Sequence, residues 1–193
     1  IRGAGSILGE VQSGQIAAVG VDLYAELVAE AVSELRGAPP PRPPLPEIRI
    51  DLNVDAHLPD GYVVEQAARL EAYRRLAAAA GQAEVDEVVA EWRDRYGELP
   101  LAAENLAAVA RLRVEALRVG ISEIVQLRNE VRLGPVSLAA SQEVRLERLA
   151  PAAVLRPSEG LMFLPVPEGD VAAGLLAFMG EMWPSRSQVV HRA

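Results

Sequence analysis

The chain contains no cysteine and no lysine, and only two histidines among its 193 residues. The first absence excludes disulfides, thiolate zinc sites and cysteine nucleophiles together. The second excludes a Walker loop, whose lysine ammonium sits on the nucleotide phosphates. His57 and His191 stand far apart in the sequence, so a histidine triad or a two-histidine metal site has no local support. Long apolar runs are missing as well: nothing approaches the ~20 residues of a membrane span, and no basic segment precedes a short apolar one as in a secretory signal. A cytoplasmic protein with no membrane partner is expected. Aromatic residues make up only 4% of the chain, and Tyr73, Trp92, Tyr96, Phe178 and Trp183 fall mostly at helical apolar spacing without interleaved basic residues. That pattern predicts core packing rather than a platform for stacking bases.

What is present is a composition able to fold: 50% of residues are hydrophobic, enough for a real core at this length. Net charge is −8, and residues 41–100 carry twelve acids against seven arginines. Such a balance disfavours independent binding to nucleic acid, which relies on basic surface and counterion release.

Periodicity divides the chain. "VDLYAELVAEAVSELRG" spaces Leu23, Leu27, Val28, Ala31, Val32 and Leu35 as one helical face, with Gly37 as a stop. "APPPRPPLP", Ala38 to Pro46, lacks backbone donors for regular structure and reads as a semi-rigid linker and domain boundary. Beyond it, "EIRIDLNVD" alternates Ile48, Ile50, Leu52 and Val54 with polar residues, as a strand with one buried face does. Three helices are expected next. The first, roughly residues 64–80, places Glu65 four before Arg69 and Glu71 four before Arg75, the order that favours exposed ion pairs. The second carries Val85, Val88, Val89, Trp92 and Tyr96 on one stripe and acids on the other face. From Gly120 onward, "ISEIVQLR", "VRLGPVSL" and "EGLMFLPV" read as strands, with helices at "SQEVRLERLA" and "GDVAAGLLAFMGEMW". The expected fold class is α+β, helices packed on a small mixed or antiparallel sheet, preceded by a helix and a proline-rich linker. The expected boundaries are 1–46, 47–185 and a disordered tail over 186–193.

Two sites suggested by local sequence fail on inspection. Asp51, Asn53 and Asp55 occupy positions 1, 3 and 5 of a calcium loop, but position 6 is Ala56 instead of glycine and position 12 is Tyr62 instead of glutamate. They read better as the solvent side of the strand. His57, beside Leu58 and Pro59, reads as a loop residue hydrogen-bonded to backbone. No carboxylate pair comes with a pocket, so no enzyme is visible.

The opening stretch, "IRGAGSILGEVQSGQ", has glycines at Gly3, Gly5, Gly9 and Gly14, but Leu8 stands where the third glycine of a dinucleotide fingerprint belongs. Extended to Val32, it resembles the R-G-x-G-x-x-L-G-x-x-Q-S-G pattern that closes the motor region of transcription-repair coupling factors. A related pattern occurs in the branch-migrating helicase RecG. "HLPDGYV", "RLEAYRRLA", "EWRDRYGELP" and "LAAVARLRVEALRVGI" look like the C-terminal domain particular to the coupling factors. The resemblance covers Ile1 to about Gly120 well and grows faint after Val131.

What the resemblance implies is this. Arg2, Gly3, Gly5, Gly9, Gln12, Ser13 and Gly14 match the end of a translocation motif that links motor closure to movement along duplex DNA. The domain after the linker is expected to be regulatory and autoinhibitory, packing on a UvrB-like N-terminal module of the same protein and masking the surface that recruits UvrA. The parent is expected to be an ATP-dependent DNA translocase that uses ATP and magnesium, binds double-stranded DNA, UvrA and RNA polymerase, and displaces stalled polymerase. This chain is expected to have no catalysis, cofactor or metal of its own. Glu84, Glu87, Glu91 and Asp94, opposite the Trp92 stripe, are the candidate interdomain surface. The alternative is a module that docks directly on RNA polymerase or DNA.

Overall fold

The computed structural model of the chain describes residues 46–184. The opening motif from Arg2 to Gly14, the expected first helix, nearly all of the linker and the expected tail lie outside the described residues.

Five strands and five helices follow in the order β1 (Arg49–Asp51), α1 (Gln66–Ala78), α2 (Gln82–Tyr96), α3 (Leu101–Val119), β2 (Glu123–Gln126), β3 (Glu130–Gly134), α4 (Ala140–Leu149), β4 (Val154–Arg156), β5 (Leu161–Pro165) and α5 (Val171–Met182). The sheet order is β1-β2-β3-β5-β4, with β1 parallel to β2 and every other pair antiparallel. This is an α+β fold with a mixed sheet.

The alternating segment from Ile48 to Val54 forms one edge of the sheet, but only three of its residues pair. Ile48 and Leu52 are buried and anchor it to the core. Strand β4 has no counterpart in the sequence reading, because "AVLRP" is too short to show a period.

Helix α3 explains the architecture. Its residues Ala108, Leu112 and Ala116 join the core under the sheet with Ile124, Val131, Leu133, Met162, Leu175 and Met179. Its residues Ala103, Leu106, Ala107, Ala110 and Val114 join a second core with Leu76 of α1 and Val85, Val89 and Trp92 of α2. A helix apolar on both sides must be covered on both sides. The helix ends at Gly120, whose left-handed conformation (φ 78°) lets its N–H reach the carbonyls of Ala116 and Leu117.

The other face of the sheet carries charge. In cross-strand register, Arg49, Glu123 and Gly134 form one row and Asp51, Val125, Arg132, Phe163 and Val154 the next. Arg132 reaches Glu123 at 2.6 Å, Arg49 lies 3.8 Å from the same carboxylate, and the Arg156 guanidinium stands 4.7 Å over the Phe163 ring. The charges on this face largely satisfy one another.

Candidate interdomain surface

Helix α2 turns Val85, Val88, Val89 and Trp92 inward, as its spacing dictates. Its four candidate acids do not stay together. Glu84 is half-buried and accepts the Ala80 N–H at 3.2 Å, ordering the turn into the helix. Glu91 pairs with Arg75 of α1. Glu87 and Asp94 remain exposed, and among the described residues neither has an ion-pair partner. With Ala83 and Ala90, also exposed, they form an outward stripe at steps of four, three and four residues. The two carboxylates stand about 10 Å apart along the helix axis, at ~1.5 Å per residue.

The stripe is held rigidly from behind. Asp86 accepts from Arg111 of α3 at 2.7 and 3.0 Å, and Gln82 donates to the Arg111 carbonyl at 2.9 Å. Arg113, buried between α3 and the end of α1, donates to the Ala79 carbonyl at 3.3 Å. At the far end of α2, the Tyr62 hydroxyl donates to the carbonyls of Trp92 and Gly97. Burial raises the Tyr62 pKa above the ordinary tyrosine value; Arg93 opposes the rise, while Glu98 and Tyr96 add to it.

The expected i,i+4 pairs on α1 do not form. Glu65 precedes the first helical turn, and Arg69 instead donates to the Val63 carbonyl at 2.7 Å and meets Asp60 at 3.1 Å. Glu71 lies 3.5 Å from Arg74, since Arg75 is turned toward α2. Tertiary partners outcompete the local ones, which are worth only a few tenths of a kcal/mol.

The residues of the rejected calcium pattern diverge. Asp51 lies beside Arg49 on the outer sheet face, the Asn53 N–H donates to the Gln126 side chain at 2.9 Å, and Asp55 holds the His57 ring at 2.8 Å. The His57 ring therefore bonds a carboxylate; only its backbone N–H bonds backbone, to the Ala102 carbonyl. Among the described residues no three His, Asp or Glu side chains are grouped to hold a metal ion. Nor is any described helix long and apolar enough to cross a membrane.

Sequence reasoning missed the interhelix pairs Arg75–Glu91 and Asp86–Arg111 and the pair of nearly buried Glu115 with exposed Arg118. The available signal was the placing of Arg113 and Glu115 among Leu112, Val114 and Ala116, in the apolar part of the helix.

The TRCF domain family model matches residues 52–146. The transcription-repair-coupling factors of Mycobacterium bovis and Mycobacterium tuberculosis are each 45% identical to the chain over 181 residues, covering 86% of it and 14% of themselves. That of Staphylococcus aureus is 38% identical over 124 residues, covering 64% of the chain and 11% of itself. The chain thus spans about a seventh of the length of these relatives or less. The crystal structure of the C-terminal domain of a transcription-repair coupling factor shares the fold, with a TM-score of 0.64 at 18% identity over 72% of this chain and 94% of that one.

Proposed function

The chain belongs to the transcription-repair coupling factor family, as a part of its C-terminal region, and from that premise we propose that its folded domain is an autoinhibitory element of a DNA translocase. In this reading α2 docks on the UvrB-like N-terminal module of the same protein and masks the surface that recruits UvrA. Undocking accompanies engagement of stalled RNA polymerase and DNA. The segment from Arg2 to Gly14 belongs to the motor's translocation motif, with Gly3, Gly5 and Gly9 allowing close backbone approach and Arg2, Gln12 and Ser13 offering hydrogen bonds across a moving cleft. ATP and magnesium serve that motor, and the domain itself carries no chemistry.

One observation carries the proposal: Glu87 and Asp94 share an outward stripe with small neighbours, on a helix whose other acids, Glu84, Asp86 and Glu91, are already engaged. Acids with no work inside the fold are free to set the register of a basic partner face, and alanines between them allow close approach. Regulation of this kind requires contacts that differ between two states.

The experiment is a Glu87→Arg/Asp94→Arg variant of the full-length protein that carries this domain. Each rim contact is worth about 0.2–1 kcal/mol, so both charges are reversed at once. UvrA binding and basal ATPase should rise together while the melting temperature stays unchanged. If both activities are unchanged, the docking surface lies elsewhere. Arg128 is then the first residue to test, since it is exposed and has no ion pair among the described residues, whereas Arg111, Arg118 and Arg132 hold carboxylates of their own domain.

A further inference from the structure

Strand β1 stands between the incoming chain and the helical half of the domain. On its N-terminal side comes the proline-rich stretch that ends at Pro46. On its C-terminal side, residues 55–63 are tied to the helices independently of the sheet. The Asp55 carbonyl accepts from Asn105 at 2.8 Å, the His57 N–H donates to Ala102 at 3.1 Å, the Leu58 N–H donates to the Tyr73 hydroxyl at 2.8 Å, and Leu58 and Val63 are buried. Between these two attachments β1 holds the sheet by a short ladder, three residues in register with β2.

The ladder is also the sheet's one parallel pair, at one of its two edges. The Arg49 N–H donates to the Ser122 carbonyl at 2.9 Å, so alternation turns the Asp51 amide toward β2 and the Ile50 amide away from it, while the Ile50 side chain packs against the core. The continuation of the ladder is a side chain, Gln126, receiving the Asn53 N–H. The charges that accompany it, Arg49 with Asp51 and Glu123, are 3.6 and 3.8 Å apart and exposed, which makes them weak. What holds β1 is the burial of Ile48 and Leu52, with Ile50 and Val54 packed beside them on the core.

We infer that β1 is an orientation clip, which opens as a unit, withdrawing Ile48 and Leu52, while the rest of both cores stays folded. Closed, it fixes Pro46 at one place on the sheet and so fixes the direction in which the preceding chain leaves the domain. Open, the nine residue steps from Pro46 to Asp55 let Pro46 range up to roughly 31 Å from Asp55, at ~3.4 Å per residue. Opening such a clip lengthens the tether between the two cores and the preceding chain, and so frees the domain to reorient. Its use in swinging the domain off a partner module rests on the autoinhibitory reading; the opening itself does not.

Amide hydrogen exchange on this chain alone tests the opening. The amides of Asp51 and Ile124 should exchange at least about tenfold faster than those of Leu112 and Leu133, as a sub-global opening requires, while Leu58 and Tyr62 stay with the slow set. Because the chain has no cysteine, an Arg49→Cys/Glu123→Cys pair, Cα partners in register, forms a unique disulfide. Oxidising it should move Asp51 and Ile124 into the slow set, and reducing it should restore the difference. Exchange of Asp51 and Ile124 at the rate of Leu112, loss of protection at Leu58 and Tyr62 along with them, or no slowing in the oxidised lock overturns the inference. None of these readouts depends on UvrA or ATPase, so the clip and the autoinhibitory reading stand or fall separately.

Discussion

Arg75 on α1 and Glu91 on α2 form an ion pair between adjacent helices, sixteen residues apart in sequence. The pair draws Glu91 away from the acids that face outward on α2 and Arg75 away from Glu71 on its own helix. Both side chains are about two-fifths exposed (42% and 41%), so the contact orients more than it stabilises. A double-mutant cycle with Arg75→Ala and Glu91→Ala should return a coupling of about 0.2–1 kcal/mol that shrinks as salt is raised. Denaturant melts of the four proteins measure it. Zero coupling at low salt would return Glu91 to the candidate docking surface.

How much of this was legible follows from which interactions are periodic. The Val85, Val88, Val89, Trp92 stripe was readable, because burial on a helix repeats with the helix itself. The mixed α+β class followed from the order of such patterns. The partners of Arg69, Arg75 and Asp86 were not readable, since each lies on another element and local spacing offers a competing carboxylate nearer in sequence. The three-residue strand β4 escaped because Val154, Leu155 and Arg156 become a strand only by pairing with Phe163, Met162 and Leu161. Of the candidate surface, sequence placed all four acids opposite the buried stripe but could not tell Glu87 and Asp94 from Glu84 and Glu91, which the fold already employs.

Tyr62 carries a pH dependence whose direction is fixed by burial. Its phenol is harder to ionise in the folded protein than in the unfolded chain, so the folded state retains a proton that the unfolded state gives up. The stability this represents is intact below about pH 10 and is lost as pH rises through the folded-state pKa. Tyr62→Phe should remove that component of the alkaline decline. It should also cost about 1 kcal/mol near neutral pH through loss of the bond shared by the Trp92 and Gly97 carbonyls. Urea melts of both proteins across the alkaline range supply the comparison; parallel curves would contradict it.

Arg118 joins α3 to the end of α5. Its guanidinium bonds both oxygens of Glu115, at 2.9 and 2.5 Å, and also the Trp183 carbonyl, while the Glu115 side chain is only 10% exposed. Arg118→Met keeps the stem but leaves a nearly buried carboxylate unpaired, and should cost about 1–3 kcal/mol or more. Adding Glu115→Gln should recover part of that loss, because the charge left behind disappears with it. Thermal melts of the single and double variants decide; losses that simply add would show that the pair does not act as one unit.

Helix α5 contains two glycines whose replacement by alanine should have opposite effects. At Gly174 an added Cβ would lie 2.6 Å from Cβ and 3.1 Å from Cγ of Pro167. Pro167 belongs to the turn between β5 and α5, and its ring cannot rotate away. The helix cannot retreat either, since Leu175 and Met179 are fully buried against the sheet. Gly174→Ala therefore forces the turn and the helix apart and should cost about 1–3 kcal/mol, as overpacking does. At Gly180 nothing lies within 4 Å of the added atom. There Gly180→Ala removes only the backbone freedom of the unfolded chain and should stabilise by about 0.5–1 kcal/mol. Melting temperatures should move down for the first and up for the second. The same sign in both would mean that helix propensity, and not the approach of Pro167, governs this helix.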